Sequence, residues 1–506
     1  MNPRRRIAAL TSLLVVLAMA LVACTRPDQL PGEPEPVVLN IGATLEPTGL
    51  DPSTVSGAGT SYVLLYNVYE TLVKLDEDNQ LRPLLASEWT VSPDNLTYTF
   101  QIDPNAHFAS GTPVTADAVV TSFERAMTDD SITSLVSGGF DPVESVEAQD
   151  DDTLVVTLDR VSHGWLYQMS GPAGIVYDPD GLETLDTQPA GSGPYLFDSW
   201  DTGSSITLAT NPDYWGTGPR VDGVVFRYYA DANAMNTAMV SGQLDAISNL
   251  TIPDALQLFE DESRFKVTEG LTHGEVVLGF NHENEALSVL EVRQAINHAI
   301  NRKQLLATVW GSKGELIGSM VPTFDPWFDG SLVDHYDYDP EQARELLAEA
   351  GYASGLSLRL RIPTLPYGPS SARVITDQLA AVGITVQVEE LQFSAWLEQV
   401  FTNKDYDMTI VAHVEPRDIG QFANPDYYWN YDNPELAEAI ADADAAPTEE
   451  EWIDGMRTAA RMLTEDAAAD WLFLMPNIVV TTTEVSGIPV NAASLAIDLT
   501  AVATSR

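Results

Sequence analysis

Within the six residues HVEPRD, His413 to Asp418, lie an imidazole, two carboxylates and a guanidinium: His413, Glu415, Arg417 and Asp418. Tyr427, Tyr428 and Trp429 follow shortly after. Side chains of these types fit three roles: a catalytic acid–base set, a ligand-binding loop, or a solvated turn whose charges neutralise each other. Catalysis needs more than this one stretch. The seven histidines (107, 163, 273, 282, 298, 335 and 413) include no two at metal-ligand spacing, and there is no HExxH and no cysteine cluster. No metal site and no cofactor are therefore expected. Ser263-Arg264-Phe265-Lys266 matches S-x-x-K but lacks a K-T-G partner, and no G-x-S-x-G elbow occurs. Gly191 to Tyr195 lacks the lysine and glycine spacing of a phosphate loop. With 74 Asp plus Glu in the chain, paired acids carry little information. No nucleophile, base and orienting group come together, so an enzyme is not expected.

The 506 residues exceed what one hydrophobic core holds, so two or three structural units are expected. A formal net charge of −49 with no basic stripe excludes nucleic acid as a partner. The N-terminus pairs a basic segment, MNPRRR, with the apolar run IAALTSLLVVLAMA, too short for a comfortable membrane span. It ends at Leu21-Val22-Ala23-Cys24, and Cys24 is the only cysteine. This resembles a bacterial lipoprotein signal, which implies cleavage after residue 23 and a lipid on Cys24. The alternative is an ordinary signal peptide with a chance cysteine. Without a second cysteine no disulfide forms, and the exported fold depends on its core. Residues 24–36, rich in Pro, Gly and Glu, read as a tether.

The elements that must position the loop change character along the chain. In the first half, Leu96 to Ile102 and Leu154, Val156 and Leu158 alternate as half-buried strands, and Val224 to Tyr229 is a third strand-like run. Thr115 is a helix cap followed by Val119, Val120, Phe123 and Met127 at helical spacing. In the second half, Val292, Ala295, Ile296, Ala299 and Ile300 form a helical stripe. Asp339-Pro340 opens another helix, which buries Leu346, Leu347 and Ala350 and stops at Gly351. Leu356 to Ile362, a helix around Ile375, Leu379 and Val382, and Ile384 to Val388 read as strand, helix, strand, which predicts a βαβ unit in an α/β lobe. Tyr406 to Val411 is a strand-like run, so the HVEPRD segment is the loop leaving it, where α/β lobes place ligand groups.

Several blocks together resemble one family. They are Asn67-Val68-Tyr69-Glu70-Thr71-Leu72; Arg82 to Trp89 with LTYTFQIDPNAHFASGTPVTADAVVTSFERA; Gly191-Ser192-Gly193-Pro194-Tyr195; Asn211-Pro212-Asp213-Tyr214-Trp215-Gly216; Val292 to Ile300; and Tyr338 to Glu341 with Gly351-Tyr352. In this order they resemble the family 5 extracellular solute-binding proteins, the peptide- and nickel-type components of ABC importers, from about Val37 to the C-terminus. The resemblance implies an α/β, two-lobed periplasmic-binding-protein-like fold (type II, large cluster C kind) with an extra domain in the N-terminal half and a hinge. The implied parts are 37–75, 190–275 and 476–506 for the first lobe, 76–189 for the extra domain and 276–475 for the second lobe. The crossings are expected near Val276–Asn281 and Leu472–Val480.

It also implies a lipid-anchored, extracytoplasmic, monomeric protein. Its role would be to pass a small solute, an oligopeptide or dipeptide, to permease subunits. The alternatives are a sugar, an opine-like compound or a metal chelate, then an extracytoplasmic hydrolase or a structural surface lipoprotein. In peptide-binding relatives an acid four residues before a proline holds the ligand ammonium. Here Pro425 sets that frame and Gln421 occupies the position, leaving Asp418, Glu415 or Asp426 as acids nearby. An amide accepts a hydrogen bond without charge-assisted strength. Arg417 has the planar fork for a ligand carboxylate; equally, Arg417 and Asp418 could pair with loop neighbours. Tyr427, Tyr428, Trp429 and Trp396 are candidates to wall the cleft or to pack beneath the loop. Tyr62, Trp165, Tyr167 and Met169 fall in segments that line the cleft in the family, with core packing as the other reading. Tyr214 and Trp215 are expected to pack.

Overall fold

Alternating apolar residues become strands wherever one face can be buried. The computed structural model describes residues 36–55 and 57–506. The signal segment, Cys24 and nearly all of the tether lie outside the described residues. Val38–Arg506 forms one compact unit.

It is built on two large sheets and a smaller one. The first is seven-stranded, in the order Tyr195–Asp201, Ser205–Thr210, Gly223–Tyr228, Val38–Ala43, Ala246–Ile247, Asn477–Thr482, Phe265–Gly270. The second is five-stranded, in the order Ile384–Leu391, Leu356–Pro363, Met408–His413, Glu275–Phe280, Ala469–Leu474. A four-stranded antiparallel sheet runs Ala86–Val91, Thr97–Ile102, Thr153–Leu158, Val143–Ala148. Its middle strands bury alternate residues, and Phe100, Leu154 and Phe123 meet in its core.

The helix after Thr115 is Ala116–Thr128, with the threonine side chain accepting from the Ala118 N–H. Its buried face is Val119, Ser122, Phe123 and Ala126; Met127 is exposed. The expected stripe is therefore rotated, because a four-residue step from Phe123 overshoots the face that the sheet covers. The helix Pro340–Glu349 starts where Asp339 accepts from the N–H groups of Glu341 and Gln342. Leu356–Pro363, the helix Tyr367–Ala381 and Ile384–Leu391 form the expected parallel βαβ unit. Gly383, at φ +95°, makes the turn between them, a conformation that suits glycine.

The chain passes between the two large sheets twice. Leu271–Gly274 joins Phe265–Gly270 to Glu275–Phe280, and Met475-Pro476 joins Ala469–Leu474 to Asn477–Thr482. The first passage thus precedes Val276–Asn281. That apolar run is instead the interior of a strand buried on both faces and paired with strands on both sides. Valine and leucine runs of this kind mark central strands. The two passages are tied together, since Thr272 Oγ1 donates to Met475 O at 2.8 Å and Met475 N to Gly274 O at 2.8 Å.

The glycines of GSGPY allow a close backbone approach. A Cβ at Gly191 or Gly193 would overlap the carbonyls of Val68 or Asn67. Glu70 is buried beside them and accepts from Ser192 Oγ (2.7 Å), Tyr214 Oη (2.7 Å) and Trp215 Nε1 (3.0 Å). Three blocks far apart in sequence therefore close on one carboxylate. Tyr214 and Trp215 serve the scaffold, as packing residues do.

Candidate functional site

The loop after Met408–His413 is placed by strand register. Glu275 lies directly opposite His413 in the antiparallel pair, so both side chains leave the same face of the sheet. Glu275 is the first residue after the passage from the other sheet. The pair therefore stands where the second sheet meets the connection to the first. The same face carries Val277 and Val411, over which the loop's aromatics pack; the opposite face, with Val276, Leu278 and Ile410, belongs to a separate cluster.

The loop folds back on its own strand. His413 Nδ1 is 3.0 Å from Asp418 Oδ2, and Nε2 is 2.9 Å from Tyr428 Oη. Both residues are buried. Trp429 lies against Gly279, where a Cβ would overlap the indole, and its ring stacks on Phe422 at 5.5 Å. Tyr428 packs edge-on against Trp396, whose Nε1 donates to Thr409 Oγ1 at 2.9 Å. Trp396, Tyr428 and Trp429 thus form the packed bed of the loop. Tyr427 is half-buried and packs edge-on against Phe401, with the negative charges of Asp418 and Glu415 adding to burial in pushing up its phenol.

Arg417, at φ +60°, turns its side chain away from this bed. Its guanidinium carbon is 3.4 Å from the Tyr167 ring centroid, 5.0 Å from Trp327 and 5.3 Å from Trp452. Its Nε is 4.0 Å from Asp325 Oδ1. Asp325 accepts from Asn79 Nδ2 at 3.2 Å, and Asn79 accepts from Tyr167 Oη at 2.7 Å. A chain of contacts therefore links the N-terminal half, through Asn79 and Tyr167, to Asp325 and Arg417 of the second half. His163 stacks on Trp452 at 5.4 Å, and the Gly164 N–H donates to Asp444 at 2.9 Å, which brings the same two regions together.

The polar groups around this point are incompletely paired. Both carboxylate oxygens of Glu275, 1% exposed, lack a hydrogen-bond partner among the described residues, as do Asp325 Oδ2, His273 Nδ1 and Arg417 Nε. Buried polar groups ordinarily find partners, so such a concentration marks a site. Burial pushes Glu275 well above the usual carboxylate range, and the negative charges of Asp418, Asp325 and Glu415 push it further. Burial also raises Asp418, against the hydrogen bond from His413. It raises Asp325 to about 6, against the pull of Arg417 and Asn79. His273, on the first passage between sheets, is held down to about 4 by burial. Its Nε2 bonds the Ala493 carbonyl at 2.9 Å.

Of the residues singled out in sequence, the fold brings His413, Glu415, Arg417, Asp418, Tyr427, Tyr428 and Trp429 together, with Trp396 behind them. Arg417 and Asp418 have partners of their own, Asp325 from the same half of the chain and His413 within the loop. Gln421 is half-buried on the turn Asp418–Ala423 and makes no side-chain hydrogen bond among the described residues. Asp426 is exposed. Trp165 is not at the cluster: its 1%-exposed indole packs on Tyr98 and Phe100 in the core of the four-stranded sheet, because its helix turns Tyr167 outward instead. Tyr62 is on the short helix Gly59–Leu64, with burial raising its phenol to about 12 and Ser248 as its partner, and has no hydrogen bond or ring contact with the loop among the described residues.

The loop's curvature also brings one ligand atom each of His413, Glu415 and Asp418 within 4.8 Å of one another, a grouping that spacing along the chain did not suggest. Both imidazole nitrogens already have protein partners. Sequence reading missed Glu275, Asp325, His273 and Asn79. An acid opening the apolar strand EVVLGF was a signal for Glu275, but its meaning depends on pairing with His413.

A family model described as bacterial extracellular solute-binding proteins, family 5 middle, matches residues 80–433. Heme-binding protein A of Haemophilus influenzae is 28% identical over 370 residues, 67% of each chain. A dipeptide-binding protein of Escherichia coli is 26% identical over 385 residues, 70% of this chain and 71% of that one. Among solved structures, the periplasmic binding protein DppA of Helicobacter pylori in complex with peptide STSA superposes with a TM-score of 0.81 at 22% identity. That match covers 93% of this chain and 98% of the other. The architecture is thus a two-lobed binding-protein fold.

Proposed function

The chain belongs to family 5 of the bacterial extracellular solute-binding proteins, and from that premise we propose that it captures a peptide outside the cytoplasm and delivers it to the permease of an ABC importer. The observation that carries the peptide reading is the pairing of opposites at the cleft. Glu275, a buried acid whose oxygens have no partner among the described residues, is close enough to Asp418 and Asp325 to feel their charge, and Asp325 faces Arg417, whose fork suits a carboxylate. An ammonium at the acids and a carboxylate toward Arg417 are the two ends of a peptide. A resemblance between this chain and a dipeptide-binding relative agrees with that reading. Asp418, buried and next to Glu275, takes the part that Gln421 cannot.

The protein binds and releases its solute without making or breaking covalent bonds. Leu271–Gly274 and Met475-Pro476 act as the hinge, and closure assembles the Asn79–Asp325–Arg417–Tyr167 contacts. The lobe limits expected from sequence, a monomeric state and a lipid on Cys24 are part of the same proposal. The rival ligand is a metal chelate, favoured by the His413, Glu415 and Asp418 grouping. Thermal shift against a peptide library, sugars and nickel chelates separates the two, because a ligand that binds the folded state raises its melting temperature. Stabilisation by peptides supports the proposal; stabilisation by a chelate alone rejects it.

A further inference from the structure

The region that carries the four-stranded sheet is fastened to the segment following Val38–Ala43. Arg125 Nη2 is 2.7 Å from Asp51 Oδ2, and its Nη1 donates to Ser53 Oγ at 2.9 Å. Tyr66 Oη donates to the Ser170 carbonyl at 2.6 Å, and Glu70-Thr71 pairs with Ile175-Val176 as a short antiparallel ladder. The chain leaves the first large sheet after Val38–Ala43 and returns to it at Tyr195–Asp201, before either passage to the second sheet. Rotation at Leu271–Gly274 and Met475-Pro476 therefore carries this region along with the first sheet.

The same region also grips the second half directly, at the joint 444–447 between helices Pro434–Asp444 and Glu449–Glu465. The last carbonyls of a helix have no intrahelical donor. Here donors come from the other half of the chain. The His163 N–H donates to the Asp444 carbonyl at 3.3 Å, and its ring Nε2 bonds the Ala446 carbonyl at 2.8 Å. The Gly164 N–H donates to Asp444 Oδ1 at 2.9 Å. Asn95, held at φ +58° in its turn, donates from Nδ2 to the Pro447 carbonyl at 2.9 Å. The His163 ring lies nearly parallel to Trp452, 5.4 Å away at 13°. Among the described residues, no hydrogen bond joins Asn95, His163 or Asp444 to the loop 413–429. Opening at the hinge breaks all of these contacts, and none of them includes a group of the solute.

We propose that Asn95, His163 and Asp444 form a latch that holds the two halves closed with or without solute, and so sets the rate of solute release without selecting the solute. They are positioning residues, and their role rests on the hinged binding protein proposed above. Each neutral hydrogen bond contributes modestly, and the ring stack adds a comparable amount.

The test combines small-angle X-ray scattering of the solute-free protein with stopped-flow release of Ala-Ala-Ala and Leu-Leu-Leu. The proteins are the wild type, Asn95→Gly, His163→Ala and Asp444→Asn. Asn95→Gly removes the donor and keeps the left-handed turn. Expected is a larger radius of gyration in His163→Ala and Asn95→Gly than in the wild type. Release should quicken about tenfold in His163→Ala and about threefold in Asn95→Gly, by the same factor for both peptides. Asp444→Asn keeps an acceptor for the Gly164 N–H but loses the negative charge that acts on Arg417. It should release both peptides within about twofold of the wild-type rate. Unchanged scattering in both latch variants, a factor that differs between the peptides, or a tenfold effect in Asp444→Asn overturns the latch. If neither peptide binds, the peptide reading fails and the scattering alone decides the latch. Asn95→Gly, on an exposed turn, decides it if His163→Ala does not fold.

Discussion

Glu70 offers a sharp test of which blocks build the scaffold and which touch solute. Burial raises its carboxyl from 4.5 to about 7, against hydrogen bonds from Tyr214, Ser192 and Trp215 and the charge of Lys74. A carboxyl raised in the folded state gives stability that is complete below the unfolded value and is lost as pH climbs through the folded one. The shift corresponds to about 3 kcal/mol, most of it lost between pH 5 and 8. Glu70→Gln removes this titration. The amide oxygen can still accept from Ser192 and Trp215, and the NH2 can donate to Tyr214. A pH-independent offset of about 1 kcal/mol is expected from replacing charge-assisted bonds by neutral ones. The assay is melting temperature from pH 5 to 8 without ligand. The wild type loses roughly 3 °C more across that range than the variant, if this large unit melts cooperatively. Asp470, raised to about 7 by burial against Arg302, keeps a residual slope in both proteins. Solute affinity should be unchanged in the variant. Identical pH slopes would refute the burial argument, and a large loss of affinity would refute the scaffold role of these blocks.

Asp418→Ala and Arg417→Ala should each weaken solute binding about 10- to 100-fold, the worth of a charge-assisted hydrogen bond, with folding retained by circular dichroism. Wild-type affinity in both would remove the loop from the site. Gly279→Ala places a methyl group where Trp429 lies. It should lower stability by about 1–3 kcal/mol in denaturant unfolding and weaken binding by disturbing the loop's bed; a neutral variant would show that the bed is not needed. Cys24→Ser should move the protein from the membrane fraction to the soluble exported fraction, and unchanged fractionation would reject lipid attachment at that residue.

Local rules carried much of the architecture. Asp339 caps its helix, Gly383 turns between helix and strand, and the apolar alternation of Leu356 to Ile362 and Ile384 to Val388 yields a parallel βαβ unit. All of these depend on neighbours along the chain. The first passage between sheets was misplaced because EVVLGF is apolar on both faces, as a central strand and a connecting strand alike can be. In the site, the loop was legible from its position after a strand, whereas its counter-charges were not. Glu275 is far from His413 in sequence and meets it only through antiparallel register. Asp325 reaches Arg417 through a loop with no periodic pattern, and Asn79 joins it from the opposite half. Trp165 and Tyr167 show the limit of segment-level inference, since a short helix sends one ring to the core and the other to Arg417.

The most direct measurement is mass spectrometry of the small molecule released on denaturing protein purified from its native host. The account predicts a peptide at one per protein chain. A sugar, an opine-like acid or a metal chelate in its place would contradict it.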